Sequence, residues 1–252
     1  MTQIELNEIL KQHQLWINSK CEEGKSADLT NADLRYADLR GANLRNAELM
    51  FANLKHANLK HSDLRYADLA GVNLIAADLT NADLSGANLR NAKLMYAVLS
   101  ASKLMRTILA IATLTGATLE GADLTGAILE SANLRFTNLT GANLMFANLI
   151  STNLLGSRLI NADLRNVKLG ATDFMDAILE GANLEGTGLH FLNGPRFDGI
   201  YDSKDDSLYF DNMVDDLDYW LENFQKIAEF YELRNSEIEV YNNWIKSLKE
   251  LS

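Results

Sequence analysis

The 252-residue chain is poor in the residues that usually punctuate or staple a fold. It has one cysteine, Cys21, so no disulfide can form within the chain and a disulfide-framed scaffold is excluded. It has one proline, Pro195, so its turns must be made by other residues. Aromatics are 8% of a chain that is 47% apolar, so any core must be built from leucine and alanine. No apolar run approaches the roughly 20 residues of a membrane-crossing helix. The start, MTQIELNEILKQHQLW, lacks a basic segment followed by an apolar one. No secretory signal is therefore expected, and the expected location is the cytoplasm. The net charge of −11 is uneven: residues 27–194 hold 14 Lys and Arg against 16 Asp and Glu, whereas residues 195–252 carry −8.

What is present is a period. From Leu29 every fifth residue to Leu189 is leucine, 32 of 33 positions, the exception being Phe174. Two residues before each stands a small residue, Ala in 23 of 33; one residue before stands Asp or Asn in 21 of 33. A helix would smear this leucine around its axis, and a straight strand would alternate its face. The chain must therefore turn once per word. The small residue and Leu face one way, the Asx faces the other, and the last two letters make the corner. Gly or Asn at the second corner letter, as at Gly41, Asn46, Gly71 and Asn81, suits a tight turn.

The words ADLRYADLRGANL, NADLSGANL and GADLTGAILESANL resemble the pentapeptide-repeat proteins, over Ala27 to about Phe191. That resemblance implies an all-β solenoid, a right-handed quadrilateral β-helix with four words per coil. Thirty-three words then give about eight coils and a rod about 40 Å long. It also raises one specific function, since some members of the family mimic B-form DNA and bind DNA gyrase.

Both open ends of such a rod need covers. Thr2 and Glu5 have capping-box spacing, and Leu6, Ile9, Leu10, His13, Trp16 and Ile17 recur at helical spacing. A capping helix is expected over Thr2–Ser19. The pattern breaks near Pro195, and two antiparallel helices are expected beyond it, about Asp211–Leu233 and Ser236–Glu250, lying over the rod's end. The expected organisation is thus 1–26 for the first helix and its loop, 27–193 for the repeat, and 194–252 for a linker and helical segment. The second of the two helices leaves room for a homodimer interface.

Chemistry is hard to place on this frame. The interior is Leu and Ala, so no catalytic pocket is expected and the chain reads as a non-enzyme. The Asx columns could be carboxylate ladders, but Asn and Asp interchange and Asn cannot replace a catalytic carboxylate. Their expected role is to bond nearby backbone. His13, His56, His61 and His190 do not have zinc-ligand spacing, and the glycines are corner letters rather than a phosphate cradle. No catalytic, metal or cofactor site is expected, and no small-molecule substrate.

Two surface features remain. If residues twenty apart stack, Arg35, Arg40, Arg45, Lys55, Lys60 and Arg65 form a basic collar beside Tyr36, His56, His61 and Tyr66. Acidic neighbours such as Asp33, Asp38 and Asp63 offset it. In mid-rod, apolar residues take outward slots: Ile108, Ile111, Ile128 and Ile150 in one column set, Ile75, Met95, Leu155 and Met175 in the next. The expected function is an interaction or scaffold rod with a protein partner. The alternative is a nucleic-acid mimic acting on gyrase or another nucleic-acid-binding protein. The near-neutral rod speaks against the second, and nucleic acid itself is not an expected ligand.

Overall fold

The computed structural model describes residues 1–192, 194, 199–203, 206–210 and 213–250. Helix α1 spans Gln3–Asn18. It is closed by the expected capping box: the Glu5 N–H donates to Thr2 Oγ1 at 3.3 Å and the Thr2 N–H to Glu5 Oε2 at 2.8 Å.

From Asp28 the chain winds with a period of twenty. Parallel bridges join Asp28 to Glu48, Asp33 to Asn53, Asp38 to Asn58 and Asn43 to Asp63, and each ladder repeats to its eighth rung, the last at Asn183. We number these four ladders, in that order, as the first to fourth faces. Every column leucine from Leu29 to Leu164 is at most 2% exposed, and the small residues pack between them. Where Ser or Thr replaces Ala inside, the hydroxyl bonds a backbone carbonyl, as Ser62 to Leu59 and Thr107 to Leu84, except at Ser157, whose buried Oγ has no partner among the described residues.

The five-letter word follows from accounting for its N–H groups. In the second word of the second coil, the Asn53 N–H donates to Ala32 of the coil before, and the Leu54 N–H to Asn73 of the coil after. The His56 N–H reaches Ile75 in the coil after, and the Ala57 N–H closes the turn on Leu54. One donor is left over, the N–H of the letter after Leu. The Asx side chain takes it. All 21 Asx Oδ1 atoms accept this bond, at 3.0–3.3 Å. This is why Asp and Asn interchange: only one side-chain oxygen is needed. The last letter of each word from Asn31 to Gly186 has positive φ, which explains the Gly and Asn there.

The α1 side chains close the first coil's free edge. The Gln3 amide donates to the Asp38 carbonyl at 3.1 Å and accepts the Asp38 N–H at 3.3 Å, standing in for a missing strand. His13 is fully buried, and its Nδ1 accepts the Ala27 N–H at 3.0 Å.

The other end differs from the sequence expectation. A four-stranded antiparallel meander precedes the helices: β1 Leu189–Leu192, β2 Gly199–Asp202, β3 Ser207–Phe210 and β4 Met213–Asp216. Helix α2 then spans Leu217–Phe230 and α3 Asn235–Leu248. Pro195 and Asp211, at which a break and a helix start are expected, lie outside the described residues, as does Asn193.

The sheet, rather than the helices, covers the rod. Leu189, Phe191, Ile200 and Tyr209 join the rod core. The Tyr209 hydroxyl donates to the Thr172 carbonyl at 2.8 Å, and its ring meets Phe174 edge-on at 6.3 Å. Phe174, the one break in the leucine column, thus sits where the sheet packs. Tyr201 and Leu208 face the opposite way, into a second core with Trp220, Phe224, Tyr241 and Ile245 of the helices. A sheet buried on both sides lacks the polar–apolar alternation that announces a strand, so the sequence pattern hides it. The cap of α3 also differs. It is Arg234, two residues before the expected helix start at Ser236, because Glu237 accepts the Arg234 N–H at 2.7 Å and pairs with its guanidinium at 2.8 Å.

Candidate interaction surface

The outward letters are the only free ones, and the structure sorts them by what they touch. In the collar, each arginine of an Asp-Leu-Arg word is gripped by the aspartate two residues back. Arg35 Nε and Nη2 reach Asp33 at 2.8 and 2.6 Å, Arg40 reaches Asp38 at the same distances, and Arg65 holds Asp63 likewise. In an extended strand, residues two apart project from the same side, so the pair forms within one word. The Arg35 and Arg40 hydrogen bonds lower the Asp33 and Asp38 carboxyls to about 2. Lys60 pairs with Asp78 of the next coil at 3.0 Å. Arg45 follows Asn43 and lies over the Tyr66 ring at 5.9 Å. Lys55 makes no ion pair among the described residues. Most of the collar's charge is therefore neutralised where it arises.

The histidines do not converge. His56 stacks on Tyr36 at 5.1 Å, His190 on Tyr201 at 6.0 Å and His13 on Trp16 at 5.6 Å. Among the described residues, no three His, Cys, Asp or Glu side chains cluster as a metal would require. Cys21 is exposed. The described hollows, of about 410, 270 and 260 Å³, are open grooves beside α1 and α2.

The mid-rod apolar letters flank the second face. On its leading corner Ile111 and Ile150 are 48 and 37% exposed, and on the first face, just behind that corner, Ile128 is 39% exposed and Ile108 half-buried. On its trailing corner Met95, Leu155 and Met175 are half-buried in one column, with Ile75 below them. Ile108 and Ile128 occupy Asx slots. No side-chain oxygen is therefore there to accept the N–H groups of Ala110 and Glu130.

Sequence reasoning passed over a set of exposed aromatics. Phe51, Tyr96, Phe136 and Phe146 join Tyr36 and Tyr66 at left-handed corner positions, each more than half exposed. Their signal was legible as the last letter of the word. Phe51, Tyr66, Tyr96 and Phe136 each lie over a glycine twenty residues on: Gly71, Gly86, Gly116 and Gly156.

The stacked words, sealed interior and outward free letters define a repeat protein with no enclosed site among its described residues. The pentapeptide-repeat family profile matches in eight overlapping copies running from 27–65 to 157–190, and the chain belongs to that family. No curated protein matches it. Among solved structures it is similar to HetL of the cyanobacterium Nostoc sp. strain PCC 7120, a pentapeptide-repeat protein involved in heterocyst differentiation regulation. That match has 26% identity and a TM-score of 0.40, and it covers 72% of this chain and 94% of that one. It is also similar to QnrB1, a plasmid-mediated fluoroquinolone resistance protein, at 23% identity and a TM-score of 0.30 over 58% and 76% of the two chains. A third is Rfr23 of the cyanobacterium Cyanothece 51142, at 35% identity and a TM-score of 0.18 over 42% and 58%. Among the described residues no helix is long and apolar enough to cross a membrane.

Proposed function

We propose that this chain is a non-catalytic scaffold, a right-handed quadrilateral β-helix that binds a protein partner along its first and second faces and the corner between them. The carrying observation is the loss of Asx at Ile108 and Ile128. Each leaves out the side-chain oxygen that the 21 Asx words supply to this backbone donor, at about 1 kcal/mol. Each also sets an apolar side chain beside the exposed Ile111 and Ile150. Two successive rungs of one ladder that give up the Asx bond and set apolar side chains outward form a surface suited to contact with something outside the wall. Met95, Leu155 and Met175 extend the surface across the face. The basic collar stays a lesser surface, since aspartates already occupy Arg35, Arg40 and Arg65.

The test is chemical cross-linking in lysate of the source cell, comparing the parent chain with an Ile111→Asp/Ile128→Asp variant. A partner captured by the parent and lost by a variant with an unchanged circular dichroism spectrum supports the assignment. Equal capture by both rejects this surface. Turnover of a generic ester, phosphate or peptide substrate would reject the non-catalytic reading.

A further inference from the structure

Resting on that reading, we infer that the surface selects its partner by a carboxylate, with Arg135 as the anchor. Three rod arginines are half-buried, Arg65, Arg135 and Arg165; Arg35, Arg40, Arg45, Arg90, Arg106 and Arg158 are exposed. Arg65 and Arg165 each hold an aspartate at 2.6 Å, Asp63 and Asp163, placed two residues back. The same position before Arg135 is Asn133, whose Oδ1 is already taken by the Arg135 backbone N–H at 3.1 Å. Arg135 makes no side-chain hydrogen bond or ion pair among the described residues. Its Nε is sealed from solvent without a partner, and its guanidinium lies 5.4 Å from the Phe136 ring.

The surroundings explain what would satisfy it. Arg135 interrupts the apolar column of Met95 and Leu155, twenty residues to either side of Thr115 and Arg135 respectively. Tyr96 and Phe136, 67 and 56% exposed, border that column. Ile111 stands across the second face, with the uncharged Thr113 and Asn133 between. A guanidinium has five donors in a fixed fork and no acceptors, and it pairs most strongly with a carboxylate offered edge-on. An arginine among aromatic, Met and Leu side chains is also the composition on which binding energy concentrates at protein interfaces. The occupant is therefore a protein segment presenting Asp or Glu between apolar residues. The carboxylate meets the two Arg135 Nη atoms, which unlike Nε are open to solvent, and the apolar flanks lie on Tyr96, Phe136 and Leu155.

The test uses fluorescence polarisation with short labelled peptides in which one Glu is flanked by mixed Leu, Ile, Met and Phe, and the same peptides with Gln for Glu. The parent chain is expected to favour the Glu set by about tenfold or more. Arg135→Met should remove that preference, and Arg90→Gln should leave it. Asn133→Asp is the sharper variant. It recreates the Asp-Leu-Arg word and should quench the preference with no fall in melting temperature, which a merely unfolded variant could not do. Equal binding of Glu and Gln peptides, binding of neither, or a preference that survives both Arg135→Met and Asn133→Asp would overturn the proposal. None of these results would touch partner capture in the cross-linking experiment, so the two readings fail separately.

Discussion

Glycine at a corner has two separable roles here, and one comparison measures them. Gly86 and Gly121 both have positive φ, +70 and +63°. A Cβ on Gly121 meets nothing within 4 Å, whereas one on Gly86 would lie 2.6 and 2.7 Å from Cε1 and Cδ1 of Tyr66. Gly121→Ala therefore costs only the left-handed backbone, about 1 kcal/mol. Gly86→Ala carries that same cost, and the Tyr66 ring must also retreat by roughly 1 Å, forfeiting close dispersion contacts worth about 0.1–0.2 kcal/mol each. If half the ring's contact is lost, about 40 Å² of apolar surface returns to water, adding about 1 kcal/mol. The expected totals are about 1 kcal/mol for Gly121→Ala and about 2 kcal/mol for Gly86→Ala. Urea unfolding at equal slope gives both values. Tyr66→Ala, alone and with Gly86→Ala, completes a double-mutant cycle. If Gly86→Ala is no worse than Gly121→Ala, or the cycle shows no coupling, the ring-on-glycine contact contributes nothing.

The remaining expectations concern the core, the cap and the collar. Leu109→Asp puts a carboxylate at a fully buried site and should destabilise by several kcal/mol, read as loss of β-type circular dichroism and a lower melting temperature; an unchanged melt would refute the register. Burial lowers the His13 pKa by more than the Arg45 backbone raises it, and His13 Nε2 has no hydrogen-bond partner among the described residues. Stability from neutral His13 is then complete above the unfolded value near 6.5 and is lost as pH falls below it. The protection factor of the Ala27 amide, taken against the slower intrinsic exchange at lower pH, should fall on acidification from about pH 7.5 to 5, and a His13→Gln variant that matched the parent at each pH would reject this. Asp33→Asn/Asp38→Asn should leave melting nearly unchanged but free Arg35 and Arg40, so the variant should elute from heparin at higher salt than the parent. Equal elution would show that the pairs do not screen the collar.

The wall was legible because each of its letters has one job. Leu fills the axis, the small residue fits the corner, and period five leaves the chain no alternative to turning. The Asx role was legible in kind, as backbone bonding, but its target was not. Only the coil register shows that the N–H after Leu is the one left over. The end of the rod was not legible. Tyr201 stands opposite Leu208 and Tyr209 opposite Ile200, so the two tyrosines of adjacent strands serve opposite cores, and a segment apolar on both faces gives no period to read. Arg135 was passed over for a related reason. Beside Arg65 and Arg165 it looks like one more outward arginine, and its distinction lies in a neighbour, Asn133 where those words have aspartate.

The same grammar bears on the nucleic-acid-mimic alternative. A mimic of a phosphate backbone must present uncompensated negative charge over a length comparable to its partner's cationic groove. Rod aspartates at 33, 38, 63 and 163 each carry an arginine at 2.6 Å, and Asp78 carries Lys60 at 3.0 Å. Such pairs are dipoles whose fields fade within about a Debye length, roughly 8 Å at physiological salt. The chain's unbalanced charge lies instead in residues 195–252, at −8 against −2 for the rod. A partner drawn by long-range attraction would therefore be steered to the sheet-and-helix end. Recognition along the rod has to come from contact, where the isoleucines and the one unmatched, half-buried arginine stand.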